Sequence, residues 1–269
     1  CCSPIDVNVF PCGMMQSRLL LLSIPLMLCM ACTPDEDSAN LPVPVAPSPA
    51  PAPPVVEPPE EENGAAPDTV RYLALGDSYT IGESVPSAGD WPNQLVDSLA
   101  LRLPESHFEP AHIIATTGWT TSNLSQGMDA QQIDTSTFDL VSLLIGVNNQ
   151  YQGKPIEEYE IEFEELLQTA INFAGGKKEN VFVVSIPDYA FTPFGNGNPS
   201  ISQEIDNFNL VNEAITDSIG VSYFDITPIS REGLDKPELV ASDNLHPSGI
   251  QYSRWVELFY DEVKLKVND

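Results

Sequence analysis

Between Val70 and Phe224 the chain alternates short, unbroken apolar runs with longer stretches whose apolar positions recur every three or four residues. The short runs are Val70 to Leu75, Ala111 to Thr116, Leu140 to Ile145, Val181 to Ile186 and Val221 to Phe224. Strands covered on both faces read this way, because neither face meets water. The longer stretches predict helices over Trp91 to Leu103, Ile156 to Ala174, Ser202 to Ile219 and Pro247 to about Lys266. Asp90 with Pro92 marks a helix start, and Gly175-Gly176 marks a stop. Strand and helix in alternation point to one α/β domain over residues 69–269, a parallel sheet with helices on both faces. Glu157, Glu158, Glu160, Glu162, Glu164 and Glu165 interleave with Ile156, Tyr159, Phe163, Leu166 and Leu167. That spacing makes the glutamates the wet face of an amphipathic helix.

Upstream of residue 69 the periodicity stops. Residues 32–68 are rich in Pro, Ala, Val and acid, with prolines near every second position from Pro42 to Pro59, so they cannot bury a core. Such a segment favours extended polyproline geometry at roughly 3.1 Å per residue and predicts a tether. Before it, Leu19 to Ala31 is an apolar run of about a dozen residues, too short for the ~20 needed to span a bilayer and of export-signal length. Met14 and Met15 are candidate initiators, which sets residues 1–13 upstream of the expected start. Residues 1–31 therefore read as a signal region. The junction Ala31-Cys32 resembles a bacterial lipoprotein signal, in which the cysteine after a small residue is lipidated. The resemblance implies a lipid anchor at Cys32 and a place in the cell envelope. The acidic Asp35-Glu36-Asp37 resembles the signal that sends some lipoproteins of Gram-negative bacteria to the cell surface.

Charge narrows the partners. With 39 Asp and Glu against 11 Lys and Arg, a net charge of −28, the chain lacks the clustered cations that nucleic acid requires. All five cysteines precede residue 33, so the α/β domain holds no disulfide, no thiolate metal site and no cysteine nucleophile.

The chemistry falls at the carboxyl ends of the strands, where parallel sheets bind ligands. Ser78 follows the first strand in Gly76-Asp77-Ser78, Gly118 and Trp119 follow the second, Asn148 follows the third in Gly146-Val147-Asn148-Asn149, and Asp243-Asn244-Leu245-His246 precedes the last helix. A serine hydroxyl needs a base to take its proton, and His246 can be that base. A carboxylate three residues before it can fold back to its Nδ1 side and orient the ring. Asp77 serves the Gly-Asp-Ser turn by accepting from nearby backbone N–H groups. His107 and His112 flank the second strand as structural or surface groups. The aromatic segment after the fourth strand carries Tyr189, Phe191 and Phe194, which either line a substrate pocket or cover the sheet end, as does Trp119.

These four blocks, in this order, resemble the SGNH hydrolases, also called GDSL esterases and lipases. The resemblance spans Val70 to the C-terminus. It implies a flavodoxin-like three-layer α/β/α fold, with Ser78 as nucleophile, His246 as base, Asp243 as orienting acid, and an oxyanion hole from Ser78, Gly118 and Asn148. It implies no metal and no organic cofactor. The expected substrate is a small-molecule or lipid ester: a short- to medium-chain acyl ester or lysophospholipid first, an acetylated carbohydrate second. A binding lipoprotein with an idle triad is the remaining alternative. The residue after the oxyanion asparagine is commonly Asp in this family and is Asn149 here, which puts a neighbouring hydrogen bond in question.

Overall fold

The structure, a computed structural model, describes residues 69–131, 133 and 138–267. The expected signal region and tether, with Cys32, lie outside the described residues. Among the described residues seven strands form: β1 (Thr69–Val70), β2 (Tyr72–Asp77), β3 (His107–Phe108), β4 (His112–Thr116), β5 (Leu140–Leu144), β6 (Val181–Val184) and β7 (Ser222–Phe224). Five make one sheet in the order β4-β2-β5-β6-β7, every pair parallel. The helices are α1 (Ser78–Ile81), α2 (Trp91–Arg102), α3 (Thr121–Gln131), α4 (Val147–Tyr151), α5 (Ile156–Phe173), α6 (Pro199–Ile219), α7 (Thr227–Ser230) and α8 (Gly249–Lys266).

The expected five-stranded parallel sheet is therefore present, with two layers of helix. On one face α2 packs on α8. There Trp91, Phe182, Phe224 and Phe259 form an aromatic cluster with Tyr72, ring centroids 5.4 to 6.5 Å apart. On the other, α5 packs against α3 and α6, and the Tyr159 ring lies tilted against Phe163 and Phe208 with centroids 5.5 and 4.7 Å away. Each fully buried ring of this kind contributes about 1.5–3 kcal/mol relative to exposure.

Burial on both faces holds for β2, β5 and β6, every residue of which is buried. It fails at the two edges. In β4 only Ile114 is buried and in β7 only Phe224, because an edge strand has one neighbour and a narrower helical cover. Val70 also leaves the first strand: it pairs in a separate two-stranded ladder with Phe108, and the chain turns at Arg71, whose N–H donates to Asp139 Oδ2 at 2.8 Å. Pro247 does not start the last helix. It bridges to Val240, and Ser248 caps α8 by accepting from the Gln251 N–H. The helix expected from Ser202 begins earlier, at Pro199, capped by Asn198. Helix α3 is absent from the hydrophobic pattern because it buries only Thr121, Leu124 and Met128, too sparse an apolar stripe to register.

Candidate active site

Ser78 is the first residue of α1 and is 3% exposed, at the end of the wholly buried strand β2. Asp77 caps the helix: its Oδ1 accepts the Tyr79 N–H at 3.0 Å, the turn role expected for it. Burial pushes the Asp77 carboxyl up to about 7, against the opposing pull of the Tyr79 N–H and the Asn148 amide.

Asp243 and His246 form a close polar contact, with His246 Nδ1 and Asp243 Oδ2 2.6 Å apart. Asp243 Oδ1 accepts the N–H groups of Leu245 and His246 at 2.9 and 3.0 Å. Partial burial works against this carboxylate's charge, but the hydrogen bonds from His246, Leu245 and Ser84 outweigh it and hold the group down to about 2. An ionised carboxylate on Nδ1 keeps the proton there and leaves Nε2 as the basic nitrogen. The loop is pinned around the pair. Ala241 N–H donates to His246 O, Asn244 adopts the left-handed region at φ 66, and Asn244 O accepts the Phe194 N–H.

Gly118 sits at φ 83 with open space where a Cβ would stand, so its backbone edge faces free volume. Gly146, at φ 133, is required more strictly, since a Cβ there would come 2.6 Å from the Tyr159 ring. It brings the chain into α4 and delivers Asn148, whose amide donates to Trp119 O at 3.0 Å and to Asp77 Oδ2 at 3.4 Å. The longer of these bonds is the one that a stronger acceptor in the cleft could displace.

The question raised by Asn149 has a local answer. Its Oδ1 accepts the Thr121 N–H at 3.0 Å, its Nδ2 donates to Thr121 Oγ1 at 2.6 Å, and the Thr121 hydroxyl donates in turn to Glu162. Because the hydroxyl proton is spent on Glu162, position 149 must supply a donor, which an amide has and a carboxylate lacks. Glu162 thus departs from its wet-face neighbours: it is half-buried and ties α5 to α3.

Ser78, Gly118, Asn148 and His246 line one cleft of about 220 Å³. Its walls are mainly apolar: Tyr79, Val147, Tyr151, Tyr189, Phe194 and Leu245, with Thr117 beside Gly118. Of the aromatic candidates, Tyr189 and Phe194 belong to this lining. Trp119 and Phe191 do not. The Trp119 ring instead covers Gly127, where a Cβ would approach within 2.2 Å, and Phe191 lies outside the cleft with its carbonyl against Gly233. Tyr79, Leu245 and Tyr151 were not anticipated. Adjacency to Ser78 and His246 was the available signal for the first two, and one helical turn from Asn148 for the third. His107 and His112 are exposed and away from the cleft, as expected.

A model of the GDSL-like lipase/acylhydrolase family matches residues 74–254. The chain belongs to this family. It is thereby a carboxylic ester hydrolase by class. No curated protein matches the chain. Among solved structures, TesA aligns with a TM-score of 0.55 at 16% identity, covering 74% of this chain and 99% of its own. The psychrotrophic esterase EstA from Pseudoalteromonas sp. aligns at 0.55 and 18% identity, covering 75% and 100%. Axe2, an acetylxylan esterase from Geobacillus stearothermophilus, aligns at 0.55 and 21% identity, covering 73% and 95%. The sheet order and helical layers are those of the SGNH hydrolase fold. For this member of the GDSL-like family, the matched span includes every residue of the cleft.

Proposed function

We propose that the protein is a serine esterase that cleaves short- to medium-chain acyl esters through an acyl-Ser78 intermediate. The Asp243–His246 hydrogen bond of 2.6 Å, behind a cleft that Ser78 and His246 line together, carries this reading. Ser78 Oγ attacks the ester carbonyl carbon while His246 Nε2 takes the hydroxyl proton, a general-base step typically contributing about 10²–10⁴-fold. Asp243 stabilises the imidazolium that results. The carbonyl oxygen, now an anion, accepts from the N–H groups of Ser78 and Gly118 and the Asn148 amide, and losing one such donor typically raises the barrier by about 2.7–4 kcal/mol. Collapse expels the alcohol, which leaves with the proton from His246. Water, deprotonated by the same nitrogen, then releases the acid and restores Ser78.

The apolar walls of a small cleft support an aliphatic acyl group of limited length, lysophospholipids included. A second reading, an acetyl group on a carbohydrate, is favoured by Tyr151 and Phe194, exposed rings at the cleft that could stack on a sugar. A series of p-nitrophenyl esters from acetate to laurate, run beside acetylated xylo-oligosaccharides, separates them: a peak at butyrate to octanoate supports the first, and a sharp preference for acetyl the second. Fluorophosphonate labelling lost in Ser78→Ala tests the serine mechanism itself. We extend the proposal to an exported enzyme lipidated at Cys32, on the strength of the apolar run ending in Ala31-Cys32. Incorporation of labelled palmitate in a bacterial host, abolished in Cys32→Ser, is the expected result.

A further inference from the structure

Asp243 Oδ2 accepts two hydrogen bonds, one from His246 Nδ1 and one from the Ser84 hydroxyl at 2.7 Å. Ser84 is 159 residues away in sequence and belongs to the loop that leaves the nucleophile helix. That loop is anchored to Ser78 itself: the N–H groups of Gly82 and Glu83 both donate to Ser78 O, the second at 3.0 Å. Glu83 then accepts from the Thr117 hydroxyl at 2.5 Å, beside Gly118. Gly82, Glu83 and Ser84 therefore tie the serine, the threonine next to Gly118 and the aspartate together by direct hydrogen bonds.

The backbone sharpens the point. Ser84 is at φ 67, a left-handed conformation that glycine and asparagine accept more readily than serine. Its side chain is exposed, so no packing favours the hydroxyl there. The contact that a serine makes and a glycine cannot is the one to Asp243. Together with the two N–H groups on Oδ1, it fills the four acceptor sites of the carboxylate and leaves the plane of the group no freedom.

We propose that Ser84 is a positioning residue, holding the Asp243 carboxylate, and through it the His246 ring, in register with Ser78. This rests on the serine-esterase reading above. The residue acts on Asp243 and touches no reacting atom.

The test uses Ser84→Gly, which relieves the backbone conformation while deleting the hydroxyl, and Ser84→Asn, which tolerates the same φ and restores an N–H donor. With p-nitrophenyl butyrate, Ser84→Gly should lower kcat about tenfold, the scale of one hydrogen bond to a charged group, with KM within about twofold. Its thermal midpoint should stay within a few degrees of the wild type, the relieved backbone offsetting the lost bond, and Ser84→Asn should recover part of kcat. A Ser84→Gly enzyme with wild-type kcat would overturn the proposal. A second readout does not depend on hydrolysis: the downfield proton resonance of His246 Nδ1–H should shift or broaden in Ser84→Gly and return in Ser84→Asn, and an unchanged resonance also overturns the proposal. If the wild type hydrolyses no ester while the resonance responds to Ser84, the esterase reading fails and the positioning of the pair stands.

Discussion

Asn149 and Thr121 exchange two hydrogen bonds, N–H to Oδ1 at 3.0 Å and Nδ2 to Oγ1 at 2.6 Å, and so fasten the start of α3 to the turn that carries Asn148. Asn149 is 1% exposed, so water cannot replace either bond. Asn149→Asp would remove the donor and set a carboxylate against a hydroxyl already committed to Glu162. The expected cost is about 1–3 kcal/mol in urea unfolding, the penalty for an unsatisfied buried polar group. Glu162→Gln in the same background should recover much of it, because the amide can donate to Thr121 Oγ1 and free the hydroxyl for the introduced carboxylate. Additive effects in that double-mutant cycle would contradict the network.

Asp77 makes stability depend on pH. Its carboxyl is raised to about 7 in the fold by burial, against 3.8 ordinarily. A raised folded value favours the folded state below the unfolded value, and this contribution is lost as pH climbs through about 7. Between pH 4 and 8 this group alone should lower wild-type stability by a few kcal/mol, on the order of 1.4 kcal/mol for each tenfold step in proton binding. Asp77→Asn keeps an acceptor for the Tyr79 N–H and does not titrate. Urea midpoints should therefore show the variant gaining on the wild type as pH rises from 5 to 8. A constant difference would mean that Asp77 titrates normally.

Asp243 has the opposite sign. Held down to about 2, it contributes stability above its unfolded value that fades as pH falls through the folded one. Asp243→Asn should thus be less stable than the wild type at pH 6, with the gap narrowing toward pH 2.5. At neutral pH the variant should also lose on the order of 10²–10⁴-fold in kcat, because an amide no longer fixes the Nδ1 proton or stabilises the imidazolium. Activity near that of the wild type would remove Asp243 from the mechanism.

What could be read in advance follows burial. The central strands were legible because both their faces lie under helices, so Leu73 to Leu75, Leu140 to Leu144 and Val181 to Val184 are buried without interruption. The convergence of Ser78, Gly118, Asn148 and His246 on one cleft was legible because all four stand at strand ends or in the loops beside them, and Gly118 and Gly146 occupy backbone conformations that favour glycine. Helix α3 was not, since Leu124 and Met128 are its only buried apolar side chains. The Trp119 and Phe191 placements were not either, because an aromatic residue near a site can satisfy the core or the cleft equally well. Ser84 had no signal at all, as its partner is 159 residues distant.

The cleft wall sets the last prediction. Tyr151 and Phe194, with ring centroids 6.3 Å apart, are 61% and 51% exposed, while Tyr189 beneath them is buried and donates its hydroxyl to Gln150. The two exposed rings can therefore change without disturbing the core, and each offers apolar area only to a ligand long enough to reach it. On the acyl-chain reading, an octanoyl group on Ser78 covers these rings and an acetyl group does not. Phe194→Ala should raise KM for p-nitrophenyl octanoate by several-fold, at about 0.8 kcal/mol for each methylene that loses its cover, and leave kcat/KM for the acetate nearly unchanged. Tyr151→Ala should act in the same direction. If both variants weaken acetate and octanoate equally, the rings shape the site instead of binding the chain, and acyl-length preference must come from Tyr79, Val147 and Leu245.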